Sequence, residues 1–206
     1  MKIADSAAYE LLERYGIPTA KWYLTKNMEQ AEVAAENMTF PVILKVDSPQ
    51  IIHKMAAGCI RTVYHRDHLR KMFELVMKNA KKQTKEINGI IMQEFVHSDV
   101  ENVQEFIIGV KKDDQFGLVI MFGAGGRLTS EDDVSFRLIP LSARDAVQMM
   151  REPDISRLIT RQDKIADVIL KVSKMAEYEE ISDLDINPLL VSDKGVLAAD
   201  VRIVIG

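Results

Sequence analysis

The polar residues near the C-terminal end of the chain alternate with apolar ones and include possible metal ligands. Asp183, Asp185 and Asn187 are two residues apart, so in a β-strand their side chains lie on one face. A glycine-containing turn at 192–195 follows, and the return arm carries Asp200, which together predict a β-hairpin. Carboxylate and amide oxygens that converge across paired strands are ligands of the kind that Mg²⁺ takes. The stretch therefore predicts a magnesium site, with a solvated polar strand face as the alternative.

A second group of chemically useful residues lies earlier, in and after a predicted buried strand. Lys45 interrupts the apolar run 41–46, where an unpaired ammonium would be costly, so it needs either a carboxylate or a phosphate beside it. The loop that follows brings His53 and Lys54 near this strand. An imidazole can act as a general base or as a nucleophile that accepts a phosphoryl group. The alternative is an ordinary surface histidine.

Two further segments carry weaker indications of nucleotide binding. The glycines of 123–126 could present backbone N–H groups to a phosphate, or could simply form a tight turn. Glu94, Phe95 and Val96 end a predicted strand and Glu105 begins the next, which suits an adenine-binding hinge with an acidic residue near ribose or metal. Neither a Walker A motif nor Gly-x-Gly-x-x-Gly is present, so the sequence supports neither a P-loop nor a Rossmann site.

The elements that position these residues follow from hydrophobic periodicity and from helix and turn signals. We expect Asp5 or Ser6 to cap a first helix and Asp67 to cap a later one. Capping boxes predict three further helix starts, at Asn27–Gln30, Ser142–Asp145 and Thr160–Asp163. The pattern changes to antiparallel β near residue 97. We therefore expect two α+β lobes, 1–97 with the loop 47–58 and 98–206 with the metal-binding hairpin, and a ligand in the cleft between them.

Composition limits the class of protein. The 206 residues are 47% apolar and 28% charged, which is typical of a folded domain rather than a disordered chain. The net charge is −4 and the basic residues are dispersed, so no nucleic-acid partner is indicated. Cys59 is the single cysteine, which excludes an internal disulfide and fits a reducing compartment. No apolar run is long enough to span a bilayer, so we expect a cytoplasmic protein without a membrane partner.

Several motifs then follow one another over almost the whole chain: Pro41–Lys45, Ser48-Pro49 with His53-Lys54, 115–126, Asp133–Leu141, Leu184–Leu189 and Ala198–Ile203. In this order they resemble the β subunit of ADP-forming acyl-CoA (acetyl-CoA) synthetases, ATP-grasp proteins related to the succinyl-CoA synthetase β chain. The resemblance implies an ATP-grasp fold in which the nucleotide lies between two α+β lobes. It also implies an acid–thiol ligase that reversibly converts acyl-CoA, ADP and phosphate into a free carboxylic acid, CoA and ATP.

The resemblance implies roles for individual residues as well. His53 matches a histidine that carries the phosphoryl group, beside Lys54, and Lys45 matches the lysine that binds the nucleotide phosphates. The implied cofactors are ATP or ADP and Mg²⁺. The implied metal ligands are Asp185, Asn187 and Asp200. The other implied nucleotide-binding positions are Glu94, Phe95, Val96, Glu105, Gly125 and Arg137.

The chain carries no CoA-binding Rossmann unit, so the resemblance implies a separate CoA-binding α subunit in an α2β2-type hetero-oligomer. Two segments depart from the family pattern. Met55-Ala56 follow His53-Lys54 where the family has a small polar and an acidic residue, and 127–132 is polar where the family has an apolar stretch with a glutamate. Two alternatives stay open: another carboxylate ligase of the broader ATP-grasp group and, because of these departures, a non-catalytic nucleotide-binding regulatory subunit.

Overall fold

The computed structural model describes residues 1–95, 103–126, 133–159 and 161–206. Its α-helices are α1 (Asp5–Arg14), α2 (Met28–Glu36), α3 (Leu69–Gln83), α4 (Ala143–Arg151) and α5 (Gln162–Tyr178). Its strands are β1 (Trp22–Thr25), β2 (Val42–Asp47), β3 (Ile60–Val63), β4 (Gly89–Glu94), β5 (Gln104–Asp113), β6 (Gly117–Ala124), β7 (Val134–Leu138), β8 (Ile181–Ser192), β9 (Gly195–Ala198) and β10 (Val201–Ile205). No helix in the described ranges is long and apolar enough to cross a membrane.

The chain divides into two compact units. Unit 1 comprises Met1–Ile3, Ala8–Thr19 and His97–Gly206, and unit 2 comprises Ala4–Ala7 and Ala20–Val96. The predicted lobes, 1–97 and 98–206, differ from these units at the N-terminus, because most of α1 packs with the C-terminal half of the chain. The assignment of lobes stays a prediction.

Unit 2 is built on a four-stranded antiparallel sheet in the order β1-β4-β2-β3. The predicted strand at 41–46 is confirmed as β2, a central strand whose Val42, Leu44 and Val46 are fully buried. Helices α2 and α3 contribute small and aromatic side chains to the same core, among them Ala31 and Phe73. A central position explains why this run is almost wholly apolar, since both faces of the strand are covered.

The predicted helix starts have mixed outcomes. The capping box at Ser142 is confirmed in both directions, since Ser142 Oγ accepts from Asp145 N and the Asp145 carboxylate accepts from Ser142 N. At Asn27 the N-cap is confirmed by the hydrogen bond from Gln30 N, but the Gln30 side chain accepts from Lys26 N rather than Asn27 N. The cap at Asp67 is wrong: this residue lies in a 3-10 turn, and α3 begins after it without a side-chain cap. Thr160 lies outside the described residues. The residue at which a helix starts depends on the direction from which the chain enters the helix, and a single Asp without a partner residue three positions later does not fix that direction.

Unit 1 contains a six-stranded antiparallel sheet in the order β10-β8-β5-β6-β7, with β9 also paired to β8. Helix α5 buries an apolar stripe that includes Ile165, Ile169 and Val172. The predicted turn at 192–195 is confirmed by the pairing of Ser192 with Gly195. The return arm is two strands rather than one: β9 pairs with the second half of β8 and β10 with the first half, and residues 199–200 between them belong to neither strand.

Candidate functional site

The predicted site residues fall into two groups, one in each unit, and one residue is not described. Unit 2 holds Lys45, His53, Lys54, Glu94 and Phe95. Unit 1 holds Glu105, Gly125, Arg137, Asp185, Asn187 and Asp200. Val96, the last predicted hinge residue, lies outside the described residues, as does the departing segment 127–132.

Lys45 lies in the middle of β2 and is almost completely buried, with 4% of its surface exposed. It is paired in register with Ile60 on β3 and Ile91 on β4, so its neighbours along the sheet are apolar. In such surroundings water screens the ammonium charge poorly, and its attraction for an anion is stronger than at a surface. This position suits the binding of a phosphate group.

His53 lies in the segment that connects β2 to β3, residues 48–58, which we call the His53 segment. Both ends are fixed, because Ser48 and the following Cys59 are fully buried. Three backbone hydrogen bonds close its second half into a compact turn, from Ala57 N to His53 O (3.0 Å), Gly58 N to Met55 O (3.0 Å) and Cys59 N to Lys54 O (2.8 Å). The His53 side chain is exposed on this turn, where solutes can reach its imidazole.

Lys54, next to His53, has a partner that the sequence did not indicate. Its Nζ lies 2.6 Å from Oδ2 of Asp5, in the first turn of α1. The Lys54 and Asp5 side chains are only 13% and 5% exposed. The predicted role of Lys54 was a positive charge beside a phosphoryl group on His53. In this structure that charge is compensated by Asp5.

The first turn of α1 also contacts Asp47, the residue immediately before the His53 segment. Asp47, the last residue of β2, is fully buried. Its carboxylate accepts hydrogen bonds from Ser6 N (3.0 Å), Ser6 Oγ (2.6 Å) and Asn88 Nδ2 (3.1 Å). Asp47 thus supplies a distant acceptor for an N–H group at the start of α1, where no intrahelical acceptor exists. Sequence reasoning missed both contacts, because Asp5 and Ser6 are more than 40 residues from their partners.

The residues of the predicted adenine hinge, at the end of β4, form hydrogen bonds and an ion pair with other residues of unit 2. The Glu94 carboxylate accepts a hydrogen bond from Thr39 N (3.1 Å) and lies 4.0 Å from Lys21 Nζ. The N–H groups of Glu94 and Phe95 donate to the carbonyls of Lys21 (2.9 Å) and Pro41 (3.1 Å). The hinge role of Glu94 and Phe95 stays a prediction.

In unit 1, cross-strand pairing determines which side chains share a face of the sheet. Asp185 on β8 pairs with Gly109 on β5, Gly109 pairs with Met121 on β6, and Met121 pairs with Phe136 on β7. Directly paired residues of antiparallel strands lie on the same face. Glu105 alternates with Gly109 along β5, so it also lies on this face. The predicted carboxylates Glu105 and Asp185 are therefore on one side of the sheet.

Arg137 lies on the opposite face of the sheet from Asp185, and its predicted role in nucleotide binding stays a prediction. It pairs with Ile120, which immediately precedes Met121 on β6 and is fully buried. Both terminal nitrogens of Arg137 donate to the carboxylate of Glu152. These hydrogen bonds raise the pKa of Arg137 and lower that of Glu152. The physical reason is the two-residue alternation of a strand, which directs adjacent side chains to opposite faces.

The predicted metal ligands are crowded with negative charge. Burial raises the pKa of the Asp185 carboxyl, the nearby Arg202 opposes this, and the charges of Asp200 and Asp183 raise it further. Asn187 N donates to Asp200 O at 3.2 Å, which links β8 to the connection between β9 and β10. A cation at this position would relieve the repulsion among these carboxylates.

The oxygen atoms available here are of the type that Mg²⁺ takes, namely carboxylates and an amide, usually completed by substrate phosphates. Tyr9 on α1 is fully buried, and its hydroxyl donates to Ala199 O (3.1 Å) and lies 3.5 Å from Asp200 Oδ1. The donor set therefore fits the ion. Within the described ranges, no group of three or more His, Cys, Asp or Glu side chains is arranged to hold a metal.

Gly125 has a structural use that differs from the predicted one. Its N–H donates to Glu105 O at 2.8 Å, so this donor is used between β5 and the end of β6 rather than for a phosphate. A Cβ atom at Gly125 would lie 2.8 Å from the backbone of Phe106, so only glycine fits this close approach. At Gly126, φ is +62° and a Cβ would overlap the Glu105 carboxylate. The glycine signal in the sequence is therefore explained by packing.

The two-unit fold with its antiparallel sheets is that of the ATP-grasp class, and a family model of the ATP-grasp domain matches residues 2–205. The chain therefore belongs to the ATP-grasp family. The acetate–CoA ligase [ADP-forming] II of Archaeoglobus fulgidus is 37% identical over all of this chain, which spans 31% of that protein's length. The β subunit of acetate–CoA ligase [ADP-forming] I of Pyrococcus furiosus is 33% identical over 98% of this chain and 91% of its own length.

Solved structures agree with this grouping. An acetyl-coenzyme A synthetase 1 of Ca. Korarchaeum cryptofilum superposes with a TM-score of 0.81 and 31% identity, covering all of this chain and 93% of the other. That protein was solved with coenzyme A and Mg-AMPPCP, its phosphohistidine segment pointing towards the nucleotide-binding site. The resemblance inferred from the motifs is confirmed: the homologues are ADP-forming acetate–CoA ligases and their β subunits.

Proposed function

We propose that this chain is the nucleotide-binding subunit of an ADP-forming acyl-CoA synthetase, which converts acyl-CoA, ADP and phosphate reversibly into a carboxylic acid, CoA and ATP. The observation that carries the proposal is the similarity to the Pyrococcus furiosus β subunit along nearly the full length of both chains. The proposed ligands are ATP or ADP with Mg²⁺. The proposed partner is a CoA-binding α subunit in an α2β2-type assembly, because the β-subunit relatives are named as parts of larger enzymes.

In this proposal His53 carries the phosphoryl group. A ring nitrogen of His53 attacks the terminal phosphorus of ATP, the bond from that phosphorus to the ADP oxygen breaks, and the ring releases its proton to solvent. The reverse transfer from phosphohistidine to ADP forms ATP. The exposed position of His53 supports this role, since a carrier needs access to both a nucleotide and a partner. Lys45 contributes positive charge to the nucleotide phosphates, where positioning and charge neutralisation account for most of the catalysis.

Asp185, Asn187 and Asp200 are the residues that would hold Mg²⁺. When bound, the ion neutralises charge on the nucleotide phosphates and orients them. Tyr9 orients Asp200 through its hydroxyl, and Arg202, which forms a 2.6 Å ion pair with Asp183, limits the negative charge on this face. Arg137 and Gly125 stay predicted nucleotide-binding positions. In the fold, Arg137 is paired with Glu152 on the other face of the sheet, and the Gly125 N–H donates to Glu105 O.

The experiment that tests the carrier is CoA-dependent turnover by the chain with a co-expressed CoA-binding subunit, using ATP labelled at its terminal phosphate. His53→Asn should abolish turnover and the acid-labile label on the chain, with nucleotide affinity by calorimetry within about twofold of the parent. The matched control is His65→Asn, an exposed histidine after β3, which should behave like the parent. Parent-like turnover by His53→Asn would refute the carrier. Complete turnover by the chain without a partner would refute the need for an α subunit.

Calorimetry with and without Mg²⁺ tests the metal site separately. Nucleotide binding by the parent should be stronger with Mg²⁺, and Asp200→Asn should remove most of that difference while the far-ultraviolet circular dichroism stays unchanged. Equal affinity of the parent with and without the metal would refute the assignment. Tight nucleotide binding with no label on any histidine would favour the regulatory alternative.

A further inference from the structure

The side chain of Lys54 turns inward at a place where its neighbours face solvent. Ile52 and Met55, on either side of the His53-Lys54 pair, are 57% and 80% exposed. Lys54 instead forms the 2.6 Å ion pair with Asp5, with both side chains largely buried. The pair therefore fixes the middle of the His53 segment to the first turn of α1.

The same helical turn also fixes the start of the segment. Ser6, which follows Asp5, donates two hydrogen bonds to Asp47, the residue immediately before the segment. At the other end Cys59 is fully buried. Ile51 is buried in the core of unit 2, and Gly58 O accepts a hydrogen bond from Asn79 Nδ2 at 3.0 Å, so residues near both ends of the segment are also held. The Asp5–Lys54 pair is the ion pair that joins the exposed middle of the segment, residues 52–56, to α1. All of these residues belong to unit 2.

A phosphoryl group on His53 would act directly on this ion pair. It adds up to about two negative charges to the residue next to Lys54, whose Cα atom is about 3.8 Å away. Because the two Cα atoms are this close, the flexible Lys54 side chain can bring its ammonium within the Debye length of about 8 Å of the phosphoryl group. The new anion attracts the ammonium of Lys54, which moves on a flexible four-carbon stem, and repels the carboxylate of Asp5.

We propose that the Asp5–Lys54 ion pair is a latch that seats the His53 segment on the first turn of α1, and that phosphorylation of His53 releases it. Lys54 exchanges the Asp5 carboxylate for the phosphoryl group, and the middle of the segment leaves α1 while its ends stay fixed. Asp5 is then a positioning residue, since it acts on His53 only through Lys54. The release step rests on the proposed carrier role of His53, whereas the latch itself does not.

Hydrogen exchange of the amides of Ala57, Gly58 and Cys59 measures the seating of the segment, because each of them is hydrogen-bonded within it. In the full chain, Asp5→Asn should accelerate their exchange at least tenfold, because it leaves the Lys54 charge uncompensated. Asp5→Glu, which keeps the charge, should restore most of the protection. The control is Glu10→Gln, an exposed residue of the same helix, which should exchange like the parent. Parent-like exchange in Asp5→Asn would overturn the latch whatever the function of His53.

The double variant Asp5→Asn/Lys54→Gln leaves no uncompensated charge and so keeps the test valid if Asp5→Asn fails to fold. Its amides should also exchange at least tenfold faster than those of the parent. Protection equal to the parent's would overturn the latch.

The release step is tested with chain phosphorylated chemically by phosphoramidate, so that it does not depend on turnover of ATP. Phosphorylated parent should exchange these three amides as fast as unphosphorylated Asp5→Asn, and phosphorylation of Asp5→Asn should add no further acceleration. His53→Asn treated in the same way should stay as protected as the untreated parent. Unchanged exchange in the phosphorylated parent would overturn the release. If chemical phosphorylation accelerated exchange as expected but ATP did not label His53, the release step would stand and the proposed function would be contradicted.

Discussion

Replacement of Asp47 by Ala tests how strongly α1 is attached to the strand that precedes the His53 segment. The carboxylate is fully buried and accepts three hydrogen bonds, two from Ser6 and one from Asn88. Ser6 is itself buried, so after the substitution its N–H and hydroxyl lose their acceptor out of reach of water. Asn88 is exposed, and water replaces its lost bond.

The magnitude follows from those two buried donors. A buried donor left without an acceptor costs about 1–3 kcal/mol, and the Ser6 hydroxyl can partly relax by rotation, so the sum is about 3 kcal/mol. Asp47→Asn keeps one acceptor oxygen, which can serve Ser6 N, and should therefore cost only about 1 kcal/mol. The free energy of unfolding should therefore be lowest for Asp47→Ala, intermediate for Asp47→Asn and highest for the parent.

Urea unfolding at pH 7, followed by circular dichroism, measures these losses as shifts of the midpoint with an unchanged m value. The matched control is Asp113→Ala at the β5–β6 turn, an exposed carboxylate that accepts from Gln115 N (2.8 Å) and Phe116 N (2.9 Å). Water can replace that carboxylate, so Asp113→Ala should cost clearly less than Asp47→Ala. A loss below about 1 kcal/mol for Asp47→Ala would refute the reasoning from buried donors. If Asp47→Asn lost as much stability as Asp47→Ala, the contribution of Asp47 to folding would depend on its charge rather than on the number of its acceptor oxygens.

Three other substitutions give separate expectations. Arg137 lowers the pKa of Glu152 in the folded chain, so the ionised carboxylate stabilises the fold above about pH 4.3, the ordinary pKa of a glutamate. This stabilisation is lost as the pH falls through the lowered pKa of the folded state. In urea unfolding measured at a series of pH values, Glu152→Gln should therefore destabilise the chain at pH 7 but not at the most acidic pH. Burial raises the pKa of Asp185, so its ionised form disfavours folding at neutral pH. Asp185→Asn should therefore raise the Tm measured without Mg²⁺. The same substitution should weaken Mg²⁺-dependent nucleotide binding, because it removes a proposed metal ligand. Tyr9→Phe, which removes the hydroxyl beside Asp200, should weaken Mg²⁺ binding about tenfold in calorimetry.

Much of the fold could be predicted from the sequence because its signals are local. The capping box at Ser142 and the apolar stripe of α5 each lie within a few residues of the structure that they determine. The strand β2 is recognisable for the same reason, as a short run of β-branched residues. The identities of Lys45 and His53 as site candidates also came from local sequence, namely a lysine in an apolar strand and a histidine in the loop after it.

Other features of the site depend on pairing over long distances, which no local signal specifies. The opposite orientation of Arg137 and Asp185 follows from three successive strand pairings, and a one-residue shift in any of them would reverse it. The contacts of Asp5 with Lys54 and of Ser6 with Asp47 join segments more than 40 residues apart. The close approach of Gly125 to the backbone of Phe106 is also invisible in the sequence, because a glycine that packs against a backbone and a glycine that binds a phosphate look the same there.

The departure at Met55-Ala56 shows how a sequence difference can leave the charges around a site intact. The family pattern places an acidic residue shortly after the His-Lys pair, and this chain lacks it there. In the fold, Asp5 nevertheless brings a carboxylate to within 2.6 Å of Lys54. A carboxylate is thus present beside Lys54 although residues 55 and 56 carry none. The decisive comparison is between His53→Asn and Asp5→Asn. Loss of the proposed carrier should abolish labelling of the chain by ATP, whereas loss of the proposed latch should change only how the segment is held.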